Sequence, residues 1–197
     1  MKTPLCLKLA LVGGLLGAGR PGLAADSTTA GSQGASVRLG ASTITVIEVY
    51  GWRDWMPIVS QPGPDHGSPL HIRIRLGLDN SAGTATKLTF VGRVLDDSGK
   101  SYPLTFGAQP NYHVLPVAVA STYRDLDPAA REAVDAKYDV VWSGGLKAGE
   151  VREVELLAGD GPYLPVGSAV RVQLTWTNPE GASVTVTSAP ASINRTD

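Results

Sequence analysis

Apolar and polar residues alternate with a period of two along most of the chain. The clearest run is Leu70-His71-Ile72-Arg73-Ile74-Arg75-Leu76-Gly77-Leu78, with five apolar side chains on one face and polar or small ones on the other. A helix of this sequence would scatter its apolar residues around the axis, so the pattern predicts a half-buried strand. Val170-Arg171-Val172-Gln173-Leu174-Thr175-Trp176 repeats it. Weaker alternation predicts strands at 43–50, 86–95, 101–106, 113–119, 139–143, 151–157 and 182–187.

Turn chemistry agrees with these assignments. Asp96-Asp97-Ser98-Gly99 separates two strands, and Asn178-Pro179-Glu180-Gly181 separates the last two. Pro in second place and Gly in fourth suit a type I turn closing a hairpin. A single helix is predicted at 127–137, where Asp127 can cap, Pro128 suits the first helical position, and Ala-Ala-Arg-Glu-Ala-Val follow. About nine short strands with one short helical insertion make the expected fold all-β, an antiparallel β-sandwich.

Pro165-Val166-Gly167-Ser168-Ala169-Val170-Arg171-Val172, followed by Leu174-Thr175-Trp176-Thr177-Asn178-Pro179-Glu180-Gly181, resembles the closing hairpin of immunoglobulin-like domains in bacterial envelope proteins. The resemblance covers about 25 residues and lacks the inter-sheet Cys pair of antibody domains. It implies an immunoglobulin-like fold, which hosts many unrelated functions.

The first 25 residues break the pattern. Lys2 and Lys8 lead into the apolar run 9–18, Arg20-Pro21 ends it, and Gly22-Leu23-Ala24-Ala25 follows. This order is that of a secretory signal peptide. Cleavage after Ala24 places Gly22 and Ala24 at the small-residue positions; cleavage after Ala25 places Leu23 there instead. The apolar run is shorter than the roughly 20 residues of a spanning helix, so no stable membrane insertion is expected after cleavage. Residues 26–41 are small and polar and read as a flexible leader. Residues 42–191 then form a single β-sandwich domain, with a tail at 192–197.

Composition changes its meaning once the leader peptide is set aside. At 43% apolar and 18% charged the chain is globular in type rather than disordered. Its single Cys, Cys6, precedes the apolar run and leaves with it, so no disulfide framework, Cys nucleophile or Cys-based metal site is expected. Losing Lys2, Lys8 and Arg20 moves the net charge from −1 to −4, which gives no reason to seek nucleic acid. The expected location is the periplasm or the extracellular space.

The richest candidate for recognition is Tyr50-Gly51-Trp52-Arg53-Asp54-Trp55-Met56-Pro57, which leads into a Pro- and Gly-rich loop that carries Asp65 and His66. Tyr50, Trp52, Arg53, Asp54, Trp55 and His66 can together present a stacking platform for sugars or Pro-rich peptides. Alternatively Trp52 and Trp55 fill the end of the sandwich while Arg53 and Asp54 pair at its rim. Trp142 and Trp176 continue apolar strand faces and belong to the core. A metal site assembled from His66, His113, Asp65 and the soft thioether of Met56 is the competing chemistry. No His-Glu-x-x-His or His-x-His spacing supports it.

Two further clusters have structural explanations. His71, Arg73 and Arg75 form a basic stripe, and Glu153 and Glu155 an acidic one, which pair if the two strands are neighbours; otherwise the basic stripe is an anion patch. Asp125, Asp127, Asp135 and Asp139 supply hard oxygens for calcium, without the spacing of a calcium loop. Neither Gly-x-Ser-x-Gly nor a complete phosphate loop occurs. The reading is therefore an exported, non-catalytic envelope or extracellular domain that needs no cofactor and binds a protein or glycan surface. The alternative is a loop-based metal-dependent hydrolase or a periplasmic metal-handling protein.

Overall fold

A computed structural model describes residues 34–55 and 67–196. Twelve strands are found among them: β1 (Ser36–Leu39), β2 (Ser42–Asp54), β3 (His71–Asp79), β4 (Thr86–Lys87), β5 (Thr89–Leu95), β6 (Ser101–Leu104), β7 (Gly107–Ala108), β8 (Gly145–Leu146), β9 (Val151–Ala158), β10 (Ala169–Thr177), β11 (Ser183–Thr187) and β12 (Ala191–Thr196). Between β7 and β8 lie two single-turn 3-10 segments, Tyr112–Val114 and Tyr123–Asp125, and two helices, α1 (Val117–Ala120) and α2 (Pro128–Tyr138).

The fold is all-β. Ten strands make one curled sheet in the order β6-β5-β10-β12-β2-β3-β9-β7, with β1 also on β2 and β11 also on β10; β4 and β8 pair separately. β12 runs parallel to β2, with Ile193 opposite Gly51 and Thr196 opposite Asp54, so the sheet is mixed where a wholly antiparallel one was expected. The inward faces of β3 (Ile72, Ile74, Leu76, Leu78) and β10 (Val170, Val172, Leu174, Trp176) are sealed from solvent, and with Ile44, Val94, Val154, Leu156, Val186 and Ile193 they build one continuous core. Fully burying each such side chain contributes roughly 1.5–3 kcal/mol, which is why the alternation was so readable.

Both ends of the expected domain move outward. Within the supposed flexible leader, β1 pairs with β2 and buries Val37 and Leu39, and Ala35 just before it is buried too. Three apolar residues at every second position suffice, although the Gly- and Ser-rich segment around them masks the pattern. Within the supposed tail, β12 bridges β10 and β2 and buries Ile193.

Both turns form as their residues require. Gly99 N donates to Asp96 O at 2.9 Å and Gly181 N to Asn178 O at 3.0 Å, and both glycines sit at φ 81°, where a Cβ would be strained. The stretch 86–95 breaks at Leu88, which is buried and donates its N–H to Gly144 O, dividing the run between β4 and β5.

The expected strand 113–119 is instead a 3-10 turn and α1. The Asn111 side chain accepts from His113 N, and Pro116, which fixes its own φ, starts the helix. The expected strand 139–143 is reduced to a single bridge between Val141 and Pro110, because Asp139 (φ 54°) and Gly144 (φ 96°) turn the backbone out of the extended region. α2 forms as predicted, with Asp127 accepting from Ala130 N at 2.8 Å and Pro128 in the first turn.

Candidate functional site

β2 begins with Ile44 and Val46 facing the core. Strict alternation from there would bury Glu48, Tyr50, Trp52 and Asp54. A bulge prevents this: the register against β3 slips between Val46 and Glu48, leaving Ile47 unpaired. One extra residue exchanges the two faces of a strand. Beyond the bulge Val49, Gly51 and Arg53 point inward, while Glu48, Tyr50, Trp52 and Asp54 join the outer face.

The partners of that face come from β3. Arg75 lies opposite Glu48, Arg73 opposite Tyr50 and His71 opposite Trp52. The Trp52 and His71 rings stack at 5.2 Å with 19° between their planes, and Tyr50 lies 5.6 Å from Trp52. The Arg73 guanidinium sits over the Tyr50 ring at 5.4 Å and reaches Glu155 on β9 at 3.9 Å. Asp54 Oδ2 lies 3.5 Å from His71 Nε2, and its other oxygen accepts from the Thr196 hydroxyl at 2.5 Å. From β12, Asn194 Nδ2 donates to Gly51 O at 3.1 Å. A Cβ at Gly159 would meet His71 Nδ1 at 3.0 Å, so that bare position leaves room for the imidazole. The result is a row of partly exposed rings, Tyr50–Trp52–His71, edged by Asp54, Arg73, Asn194 and Thr196.

Arg53 is not part of this row. Its side chain is 1% exposed, donates from Nε to Ser68 O at 2.7 Å and from Nη1 to Leu164 O at 2.9 Å, and lies over the Tyr163 ring. Arg53 and Asp54 leave β2 on opposite faces, which replaces the expected pairing at the rim with a buried cation tying two loops to the strand. Trp55 has Arg195 stacked on its ring at 4.6 Å. Met56, Asp65 and His66 lie outside the described residues.

His113, the remaining member of the metal alternative, is exposed in a cleft of about 430 Å³ beside Arg75, Gln109, Trp142, Glu153 and Glu155. The basic and acidic stripes do pair: β3 and β9 are neighbours, and Arg75 lies 3.9 Å from both Glu48 and Glu153. The four aspartates around α2 do not converge. Asp127 caps the helix, Asp135 accepts from the Tyr123 hydroxyl, and Asp139 pairs with Arg152. No group of three His, Cys, Asp or Glu is placed to hold a metal among the described residues. Trp142 and Trp176 belong to the core, packed around Phe90.

His71 is the residue that reading the sequence placed among surface charges and the structure places in the ring row. The signal was there: it occupies the same face as Arg73 and Arg75, at the end nearest the tryptophans. Only the bulge brings Trp52 to that face.

No protein-family profile and no curated protein matches the chain. Among solved structures, a family 123 glycoside hydrolase from Clostridium perfringens, described for glycolipid glycan hydrolysis, aligns with 64% of this chain and 21% of its own at 9% identity and a TM-score of 0.35. Likeness at that level assigns no family. No helix among the described residues is long and apolar enough to cross a membrane.

Proposed function

We propose that the chain is an exported, non-catalytic envelope or extracellular domain that binds a protein or glycan surface through the outer face of β2 and β3. The observation that carries this reading is the bulge at Ile47, which turns Tyr50 and Trp52 away from the core. There the Tyr50 and Trp52 rings keep part of their surface open to solvent. They are suited to stacking against a sugar ring or a partner side chain, while Asp54, Arg73 and Asn194 supply hydrogen bonds at the edge. The first 25 residues, read as a signal peptide, supply the route out of the cell.

We also read the curled sheet as an immunoglobulin-like sandwich in which β12 crosses between two halves, pairing with β10 through Ala191 and Ser192 and with β2 through residues 193–196. Recognition through a rim or face of such a scaffold is common to the architecture.

The test is retention on immobilised envelope material from the source cells, separated into polysaccharide and protein fractions. Wild type should bind one fraction, and a Tyr50→Ala/Trp52→Ala variant that still unfolds cooperatively should bind neither. Equal retention of the two proteins would remove the reading. N-terminal sequencing of the protein recovered outside the cytoplasm should begin after Ala24 or Ala25.

A further inference from the structure

A cleft lies in the insertion between β7 and β8, lined by none of the residues of the ring row. Tyr112, Leu115, Ala120, Tyr123, Arg124 and Arg131 line a cleft of about 480 Å³, within the range of small-molecule sites. The Tyr112 and Tyr123 rings lie 5.3 Å apart at 59°, and Tyr112 is half exposed. Arg131 is held in place: Nη2 donates to the carbonyls of Arg124 and Leu126, each at 3.2 Å, and its guanidinium lies over the Tyr123 ring at 5.5 Å. Tyr123 is anchored in turn by donating its hydroxyl to Asp135 at 2.7 Å.

The charge of this lining is one-sided. Its only charges are two guanidinium groups, which donate and never accept. The Tyr123 proton is committed to Asp135, and the two carbonyls beside Arg131 are committed to Nη2. Arg131 Nε is buried without an acceptor, and Nη1 makes no hydrogen bond among the described residues, so Nη1 is the donor left for a ligand. Arg124 is exposed. A donor-rich cleft floored by rings and aliphatic side chains suits a ligand with an acceptor-only anionic group on a compact ring body. A neutral sugar would leave both guanidinium charges uncompensated. Arginine is matched to carboxylate by its fork geometry.

We infer that this cleft binds a ring-bearing carboxylate, with Arg124 and Arg131 holding the anion and Tyr112 and Tyr123 packing against the ring. Two sources carry that chemistry: the uronic-acid unit of an acidic glycan and a free aromatic acid. The experiment is calorimetric titration of the whole protein with digalacturonate, benzoate and maltose, repeated on Arg124→Gln, Tyr112→Ala and Trp52→Ala variants.

At least one of the two acids should saturate, with affinity falling as salt is raised, while maltose should give no saturable heat. Digalacturonate alone identifies the glycan source, and benzoate alone or both identifies the ring carboxylate itself. Arg124→Gln and Tyr112→Ala alter exposed side chains, so both should melt with wild type while weakening the acid about tenfold, equivalent to ~1.4 kcal/mol. Trp52→Ala should bind the acid as wild type does, which separates this cleft from the ring row. No saturation by either acid, equal binding of maltose, wild-type affinity in both cleft variants, or loss of binding in Trp52→Ala would each overturn the inference.

Discussion

The strand body and the helical insertion follow different rules. In the body, Ile72, Ile74, Leu76, Leu78 and Trp176 are all 0% exposed, and the outer face is ordered by a ladder of charges and rings. In the insertion, no residue of α1, α2 or the two 3-10 turns is buried, and Val117 stands 87% exposed. The body is held by apolar burial shared among many strands. The insertion is held by caps, a Tyr–Asp hydrogen bond and an anchored arginine, with Leu115, Val140 and Trp142 its buried apolar side chains. Rigidity therefore comes from the sheet, and the insertion is free to keep open clefts at its margins.

The sharpest way to break this contrast is to remove a large side chain from each region. Trp176→Ala deletes the ring packed 4.8 Å from Phe90 and 6.0 Å from Trp142, and should cost about 3–5 kcal/mol in denaturant unfolding. Asp127→Ala removes the cap of α2 and should cost about 1 kcal/mol. That loss should appear as faster amide exchange confined to 112–138, with the sheet protected as before. If Asp127→Ala instead lowers the whole unfolding transition as far as Trp176→Ala does, the insertion is part of the core and the contrast is lost.

Alkaline titration sharpens the same point. The hydrogen bond to Asp135 and the negative charge beside it push the Tyr123 hydroxyl up from 10.0 to about 12. A raised folded pKa means that the folded state holds this proton more tightly than the unfolded chain. The contribution is therefore complete below pH ~10 and is lost as pH rises through about 12. Insertion amides should lose protection across that window, and Asp135→Asn should flatten the effect. An unchanged profile in Asp135→Asn would show that the contact does not hold the insertion.

The smallest effect belongs to the charge ladder. Arg75 is half exposed and lies 3.9 Å from Glu48 and Glu153. Arg75→Gln should change stability by about 0–1 kcal/mol, less at high salt. A loss comparable with Asp127→Ala would mean that the ladder contributes to stability as well as to register.

What could be read from the chain divides along the same line. Period-two burial makes β3 and β10 plain and β9 legible more weakly, and both hairpin turns follow from Asp, Asn and Gly in fixed places. β1 and β12 escaped because each presents only one to three apolar positions inside polar sequence, and their pairing is decided by strands far away in the chain. The bulge escaped for a sharper reason. Nothing in Val46-Ile47-Glu48 distinguishes a bulged strand from a straight one, since all three types occupy strands; the choice is made where the register with β3 must place Ile74 and Ile72 against the core. Tyr50, Trp52 and Asp54 were thus recognisable as candidates, but the side of the sheet they occupy was not. Arg53 was misplaced for the same cause: its parity depends on the bulge. In the insertion, β-branched residues at 114, 117 and 119 imitated a strand, and Pro116 with the Asn111 cap prevailed.

In the proposed function Trp52 meets a ligand, while Trp142 and Trp176 hold the core. Heteronuclear spectra of the indole N–H groups, recorded during titration with the envelope fraction that wild type retains, address it directly. The Trp52 resonance should shift or broaden in a saturable way while those of Trp142 and Trp176 stay in place. A titration in which the core indoles respond and Trp52 does not would contradict it.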